Sequence, residues 1–519
     1  MKKLSLVLAF FFTLTFLNAV EYKIENINYN LQPSSWDFLP VTKQYALEQQ
    51  VVVDYNKVFA SQEELDKYVQ DYEARLKNTR AFEEIQIKTE YGKAASKDSY
   101  IPVTLNVTTK DTIHILAVPY PKYNSNDGFL FKLKIKDTNF LGSMNTMNSE
   151  INFKIDTSES TTKYIIGLSF DFDYPFKAGI FDALFVNDYS LDYTFGENVP
   201  EFNTKTGLKL TLPKHNHSYV FEVYQKLINN LDYKVYDDNF YFNNNITFSV
   251  PFTLASLGQY GNLSYSPSLS FSVNYDVNGI NQLNSDLLGP SVSFSHSLSL
   301  GRVNWKENMR TGLTASLSNS FNYNFHKARL YPSISLESKY YNNIQFTDKI
   351  TYLNRLGFCA DLYTYFGLVS TDNPFIGSDG SGFGERLRGI RDSQYYSNGW
   401  EALTSNGIIT LNLDFPFHLF RTNFTGKVMS YFNFDCQISP FIDIGLCYNK
   451  ITKQWFNPKD GYYAAGLEVL IYPAKWRSFT VRGSAGIDIG RKLFSKYLNT
   501  DWRDNVSTYE ISIGIGLHY

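Results

Sequence analysis

From about Tyr120 to its last residue the chain alternates apolar and polar positions. Phe129, Phe131, Leu133 and Ile135 form one apolar face, as do Ile151, Phe153 and Ile155, and Ile166, Leu168, Phe170 and Phe172. Ile246, Phe248, Val250 and Phe252 repeat the pattern, followed by Leu269, Phe271, Val273 and Tyr275. Ser, Thr, Asn, Asp and Lys fill the alternate positions. Successive side chains of a strand point to opposite faces, so a period of two predicts strands with one greasy and one wet side. The most regular stretch sets Ser291, Ser293, Ser295, Ser297 and Ser299 against Val292, Phe294, Leu298 and Leu300. A soluble sandwich turns its wet face outward, whereas a large membrane barrel turns its greasy face to lipid and its wet face to a lumen. After residue 20 no stretch approaches eighteen consecutive apolar residues, which excludes a helical membrane protein. At roughly 20 to 25 residues per strand with its turn, residues 113–519 predict an antiparallel barrel of about 16 to 20 strands, even in number.

Residues 20–112 read differently. Charge is denser there, and Ser61 followed by Glu64 is a capping box opening a helix whose apolar stripe is Leu65, Tyr68, Val69, Tyr72 and Leu76. Candidate strands are Tyr22 to Tyr29, Glu84 to Tyr91 and Ile101 to Thr108, with a weaker helix from Thr42 to Gln50. The β-α-α-β-β order predicts a small separate α+β domain.

The two ends carry their own signals. MKKLSLVLAFFFTLTFLNA has two lysines, an apolar run from Leu4 to Leu17 and a small residue at Ala19, the order of a removed signal peptide over residues 1–19. No cysteine stands directly after Ala19, which disfavours a lipid anchor. At the other end Tyr509, Ile511, Ile513, Ile515, Leu517 and Tyr519 share one face of a strand, and Glu510, Ser512, Gly514, Gly516 and His518 share the other.

Composition sharpens the picture. Aromatic residues make up 17% of the chain, a load that a membrane barrel places on its lipid face and interfacial girdles. A net charge of -3 lacks the basic excess for phosphate-backbone binding, so nucleic acid is not an expected partner. Cys359, Cys436 and Cys447 are too few for a disulfide framework. His215 and His217 have no further ligand at metal spacing and read as a loop. No Ser-His-Asp elbow, phosphate-binding loop or paired-carboxylate motif stands out, so neither an enzyme, a metal nor a cofactor is expected.

These features together resemble the BamA/TamA superfamily of outer-membrane insertases and transporters, the surface-antigen family, in which periplasmic POTRA domains precede a barrel of about 16 strands. SQEELDKYVQDYEARLKNTRAFEEIQIKTEYG looks like the second helix and following strand of a POTRA domain. SNDGFLFKLKIKDTNFLGS looks like the first barrel strand and its turn at Asn139, Phe140, Leu141 and Gly142. RLRGIRD, with Arg388, Gly389, Arg391 and Asp392, is similar to the signature of a loop that folds back into the barrel, although Ile390 stands where an aromatic is usual. PFIDIG, with Phe441, Asp443 and Gly445, is similar to the family's strand motif. Tyr519 stands where many of these barrels end in Phe. The resemblance implies a location in the outer membrane of a diderm bacterium with the amino-terminal domain in the periplasm. It implies unfolded outer-membrane or secreted polypeptides as partners, together with the lipid bilayer and accessory periplasmic or lipoprotein subunits.

Two of these motifs also have a direct physical reading. Thr371 to Asn406 is the longest stretch without alternation and is rich in glycine, which fits either an external loop or one re-entering the lumen. On the strand around Phe441 to Leu446, Ile442, Ile444 and Leu446 take the lipid face, so Asp443 points into the lumen. The resemblance supplies Arg388 as its partner, and a wet lumen is expected to screen the pair. Gly514 and Gly516 either weaken pairing at a seam between last and first strands or fit a crowded lumen. Three functions follow: an assembly factor, a dedicated secretion transporter of the same fold, and a passive porin or surface receptor.

Overall fold

The protein is described by a computed structural model over residues 21–94, 100–124, 128–156, 162–214, 216–229, 240–275, 290–347, 352–367, 386–390, 406–449, 453–499 and 508–517. The proposed signal peptide, His215, Arg391, Asp392, Tyr519 and most of the 371–406 stretch lie outside these residues. The chain divides into two compact units, residues 1–113 and 114–519.

In the first unit, β1 (Tyr22–Gln32), α1 (Gln44–Gln50), β2 (Val58–Phe59), α2 (Gln62–Asn78), β3 (Phe82–Tyr91) and β4 (Ile101–Asp111) follow one another. The sheet order is β2-β1-β4-β3, with β1 parallel to β4 and β3 antiparallel to it. Ser61 caps α2 by accepting the Glu64 amide at 3.2 Å, and the Glu64 carboxylate accepts the Ala60 amide at 3.1 Å. Four of the first turn's amides have no partner within a helix, and this exchange satisfies one while steering the incoming chain. The helix buries Leu65, Tyr72 and Leu76, and the sheet buries Ile24, Phe59, Val103 and Leu105. Tyr68 stays half-buried, its hydroxyl accepting the Asp54 amide at 3.0 Å. The Tyr29 and Tyr72 hydroxyls meet at 3.2 Å, and burial pushes both phenols above their usual range.

Among the described residues the second unit is a closed antiparallel barrel of 21 strand segments. Three segments continue their predecessor: Phe252–Ser256 continues Phe240–Ser249, Phe417–Arg421 continues Gly407–Asp414, and Tyr462–Pro473 continues Gln454–Trp455. The first two breaks fall at Pro251 and Pro416, which have no amide to donate to a ladder. Counting each interrupted pair once leaves 18 traverses of the wall, within the range expected from chain length and two more than the resemblance implies. Apolar side chains point outward as the alternation requires: Phe129, Phe131, Ile151, Phe153, Ile166, Leu168, Phe271, Phe294 and Leu298 are 36–50% exposed. A continuous apolar surface of this extent is not tolerated in water and identifies the outer wall as lipid-facing. Inward, serines align across four neighbouring strands, Ser268, Ser295, Ser320 and Ser333 in one row and Ser266, Ser297, Ser318 and Ser335 in the next.

The mouth where the chain enters the wall, at His114, is called proximal here, and the other distal. The strand Ile115–Asn124 opens the wall and Gly128–Asp137 follows it, so the Asn139–Gly142 turn closes the second traverse and not the first. Pro119 and Pro121 hide the opening strand from propensity. Asn139 accepts the Met144 amide at 2.8 Å, and Leu141 and Gly142 both take positive φ, 53° and 76°.

Candidate functional site: a loop segment docked in the lumen

The segment connecting Arg355–Gly367 to Gly407–Asp414 carries residues 386–390 into the barrel. Leu387 and Ile390, each 1% exposed, pack with Tyr363, Ile408, Cys447, Tyr462 and Ala464 of the inner wall. Two apolar anchors therefore flank Arg388 and Gly389 and press them onto the wall. Ile390 fills this cluster with an aliphatic side chain where the resemblance implies an aromatic.

Arg388 reaches three carboxylates. Its Nε and Nη2 donate to the two oxygens of Asp443 at 3.0 and 2.7 Å, and its own backbone amide donates to Asp443 at 2.8 Å. Its Nη1 donates to Asp414 at 2.6 Å and stands 3.3 Å from Glu468. The guanidinium carbon lies 3.7 Å over the Phe441 ring. Only a planar fork with several donors can serve carboxylates on three strands while stacking on a ring. The sequence reading supplied Asp443 alone and placed the pair in a wet lumen. The side chains of Arg388 and Asp443 are 4% and 0% exposed, because Phe441, Leu387 and Ile390 close around them.

Gly389 explains how the backbone comes so close. Its φ is +80°, and a Cβ there would lie 2.7 Å from the Gly486 carbonyl carbon and 2.8 Å from the Ile487 nitrogen. Its amide donates to Glu510 on the last strand at 3.0 Å. The Asn412 side chain holds the Arg386 carbonyl at 2.7 Å, and the Arg386 guanidinium stacks on Tyr363 at 3.6 Å. Gly445 lies on the same strand as Asp443, opposite Thr410 and Tyr462. Gly514 pairs opposite Arg482 within the last strand, Tyr509–Ile515. Gly516 falls just beyond that strand with φ +98°, so it ends the ladder instead of weakening it from within; its amide donates to Thr480 at 2.7 Å. His217 pairs with Asn216 at 3.0 Å and meets the Tyr219 ring edge-on.

A second closure at the proximal mouth has no counterpart in the sequence reading. The tight turn Glu307–Asn308, both residues at positive φ, reaches strands that are not its neighbours. Asn308 donates to Asp435 at 2.5 Å, Gln437 donates to the Asn308 carbonyl at 3.0 Å, and Arg421 donates to Glu307 at 2.8 Å while gripping Asp435. Period-two alternation shows that these side chains face inward but not which distant strands they meet.

The molecule is thus a transmembrane β-barrel with an internally docked loop segment, preceded by a small α+β unit. No family model and no curated protein matches the chain. Among solved structures it is similar to CdiB from Acinetobacter baumannii, with 12% identity over 95% of this chain and 73% of that one, at a TM-score of 0.48. CdiB from Escherichia coli shows 10% identity over 95% and 76%, at 0.46. BamA from Haemophilus ducreyi lacking POTRA domains 1–3 shows 12% over 95% and 85%, at 0.39. Identities this low carry over no activity.

Proposed function

We propose that the protein is an outer-membrane assembly factor of the BamA/TamA type. Its amino-terminal unit, read as a POTRA domain in the periplasm, receives unfolded β-rich chains, and the barrel passes them to the bilayer through the seam between its last and first strands. The observation that carries this reading is the edge the first strand offers to that seam. Ile115–Asn124 pairs with Gly128–Asp137 in unbroken register through Pro119 and Pro121. Residues two apart direct their amides to the same side of a strand, so the missing donors of both prolines fall on the seam side. The last strand spans only Tyr509–Ile515, shorter than most of the wall. A seam short of donors is where another strand can enter by edge pairing.

The docked segment is assigned a structural role with no catalysis, holding the lumen closed while the seam works. The row of inward serines favours a second reading, a dedicated secretion transporter whose polypeptide slides along a hydroxyl-lined wall. Depleting the protein and quantifying the outer-membrane proteome tests both. Loss of many barrel proteins supports assembly, loss of one exported protein supports secretion, and an unchanged proteome refutes both.

A further inference from the structure

At the proximal mouth, beside the seam, two connections form one projecting element. The first is 422–433, between Phe417–Arg421 and Phe434–Asn449, and the second is 474–480, before the strand Val481–Asp488. They are joined by the Ala474 amide donating to the Asn433 carbonyl at 2.8 Å and by edge contact of the Tyr431 and Trp476 rings at 6.3 Å. The first connection is a built structure. Asn433 brackets Phe424 by accepting its amide at 2.6 Å and donating to its carbonyl at 3.1 Å, and Met429–Phe432 forms a 3-10 turn. A folded loop in water would turn its apolar residues inward, yet Val428 is 70%, Phe432 61% and Met429 48% exposed.

We propose that this element dips into the bilayer leaflet at the proximal mouth and binds anionic phospholipid there. Three observations point to lipid. The exposed apolar side chains continue the greasy outer face past Phe420, which is itself 43% exposed at the end of its strand. The two connections contain Lys427, Lys475 and Arg477 and no acidic residue. Apolar and aromatic side chains mixed with basic ones are what an element lying at a membrane interface requires, the charge adding attraction to anionic headgroups. The element also touches the seam from below: Trp476 donates its indole N–H to the Ile115 carbonyl of the first strand at 3.2 Å, and Thr480 accepts the Gly516 amide just past the last strand. Lipid bound here would lie where a client strand leaves the barrel, so the inference rests on the assembly reading for its purpose but not for its chemistry.

The test uses the full chain carrying Val428→Cys or Phe432→Cys, labelled with an environment-sensitive nitrobenzoxadiazole dye. The native background serves, because Cys359, Cys436 and Cys447 are all buried, with mock-labelled wild type as the blank. The protein is reconstituted into phosphatidylcholine vesicles with and without phosphatidylglycerol, its fold checked by heat-shifted gel migration. Emission at both positions should shift to the blue and be quenched by a lipid-borne nitroxide, more so with phosphatidylglycerol. Asn216→Cys, on another exposed turn of the same mouth, should stay aqueous. Lys427→Glu with Arg477→Glu should remove the phosphatidylglycerol increment. Labels quenched by aqueous iodide as readily as Asn216→Cys in both vesicle types would overturn the inference, as would a shift seen only after adding periplasmic extract, which identifies a protein occupant. Lipid quenching in a protein whose depletion leaves other barrels intact would keep this inference and refute the assembly reading.

Discussion

Replacing Arg388 with alanine removes the one guanidinium shared by Asp443, Asp414 and Glu468 and leaves three carboxylates facing one another in a site almost without water. Removing one partner of a buried ion pair costs about 3 to 5 kcal/mol, because the remaining charge stays desolvated. The cost falls on the docked segment, since the ladder of the wall is untouched, and it corresponds to a loss of roughly 150- to 4000-fold in the docking equilibrium. Amide exchange read by mass spectrometry measures it directly, because the Arg388 and Gly389 amides are held by Asp443 and Glu510 in the docked state. Both should exchange faster in Arg388→Ala by a factor in that range, while amides in the strand Pro290–Lys306 keep their protection. Arg388→Lys should recover only part, since one ammonium cannot reproduce the fork on Asp443 and still reach Asp414. If the Gly389 amide of Arg388→Ala exchanged at the wild-type rate, the ion cluster would not be what holds the segment.

Gly389→Ala should release the same segment, because its Cβ would meet the backbone of Gly486 and Ile487, whereas Gly483→Ala, with nothing within 4 Å, should not; the same exchange experiment separates them. Ser61→Ala should lower the stability of a fragment spanning residues 20–113 by about 1 kcal/mol through loss of the α2 cap, as read by urea unfolding. That fragment should also unfold in alkali. Burial raises the phenols of Tyr29 and Tyr72, so stability is constant below the ordinary tyrosine value of about 10 and falls above it, where the unfolded chain ionises first. Tyr29→Phe with Tyr72→Phe should flatten that fall in circular dichroism followed against pH.

What the sequence makes legible here is direction, and what it conceals is height. Ile442 and Ile444 flank Asp443 and turn it inward; Leu413 does the same for Asp414, and Leu467 and Val469 for Glu468. Any of these carboxylates can be read as facing the lumen. Which of them lie level with Arg388 depends on the register of strands up to 80 residues downstream (Glu468), and register is fixed by the whole ladder together with its breaks, such as the one at Pro416. The resemblance supplied Asp443 because it carried a register from elsewhere. The Asn308 to Asp435 contact, between strands far apart around the wall, left no comparable signal, and Trp476 reads as an ordinary interfacial aromatic until its indole is seen against Ile115. In the first unit the helix and strands were legible because each is set by local chemistry, a cap at Ser61 and alternation in Ile101–Asp111.

Apart from Tyr363, which packs on Leu387 and Ile390 and carries the Arg386 guanidinium, the groups that receive the docked segment come later in the chain than the segment itself. Asn412, Asp414, Phe441, Asp443, Glu468, Gly486 and Glu510 all follow residue 390, and the contact from Gly389 to Glu510 spans 121 residues. Contacts of such span are slow to form, since closing the loop costs entropy before any bond repays it. Arg388 needs the strands that carry Asp414, Asp443 and Glu468, and Gly389 needs the terminal strand as well. Full seating of this segment therefore depends on the last strand being in place: a chain cut short before Glu510 would still present Asp443 to Arg388, but the neighbouring Gly389 amide would lack its acceptor.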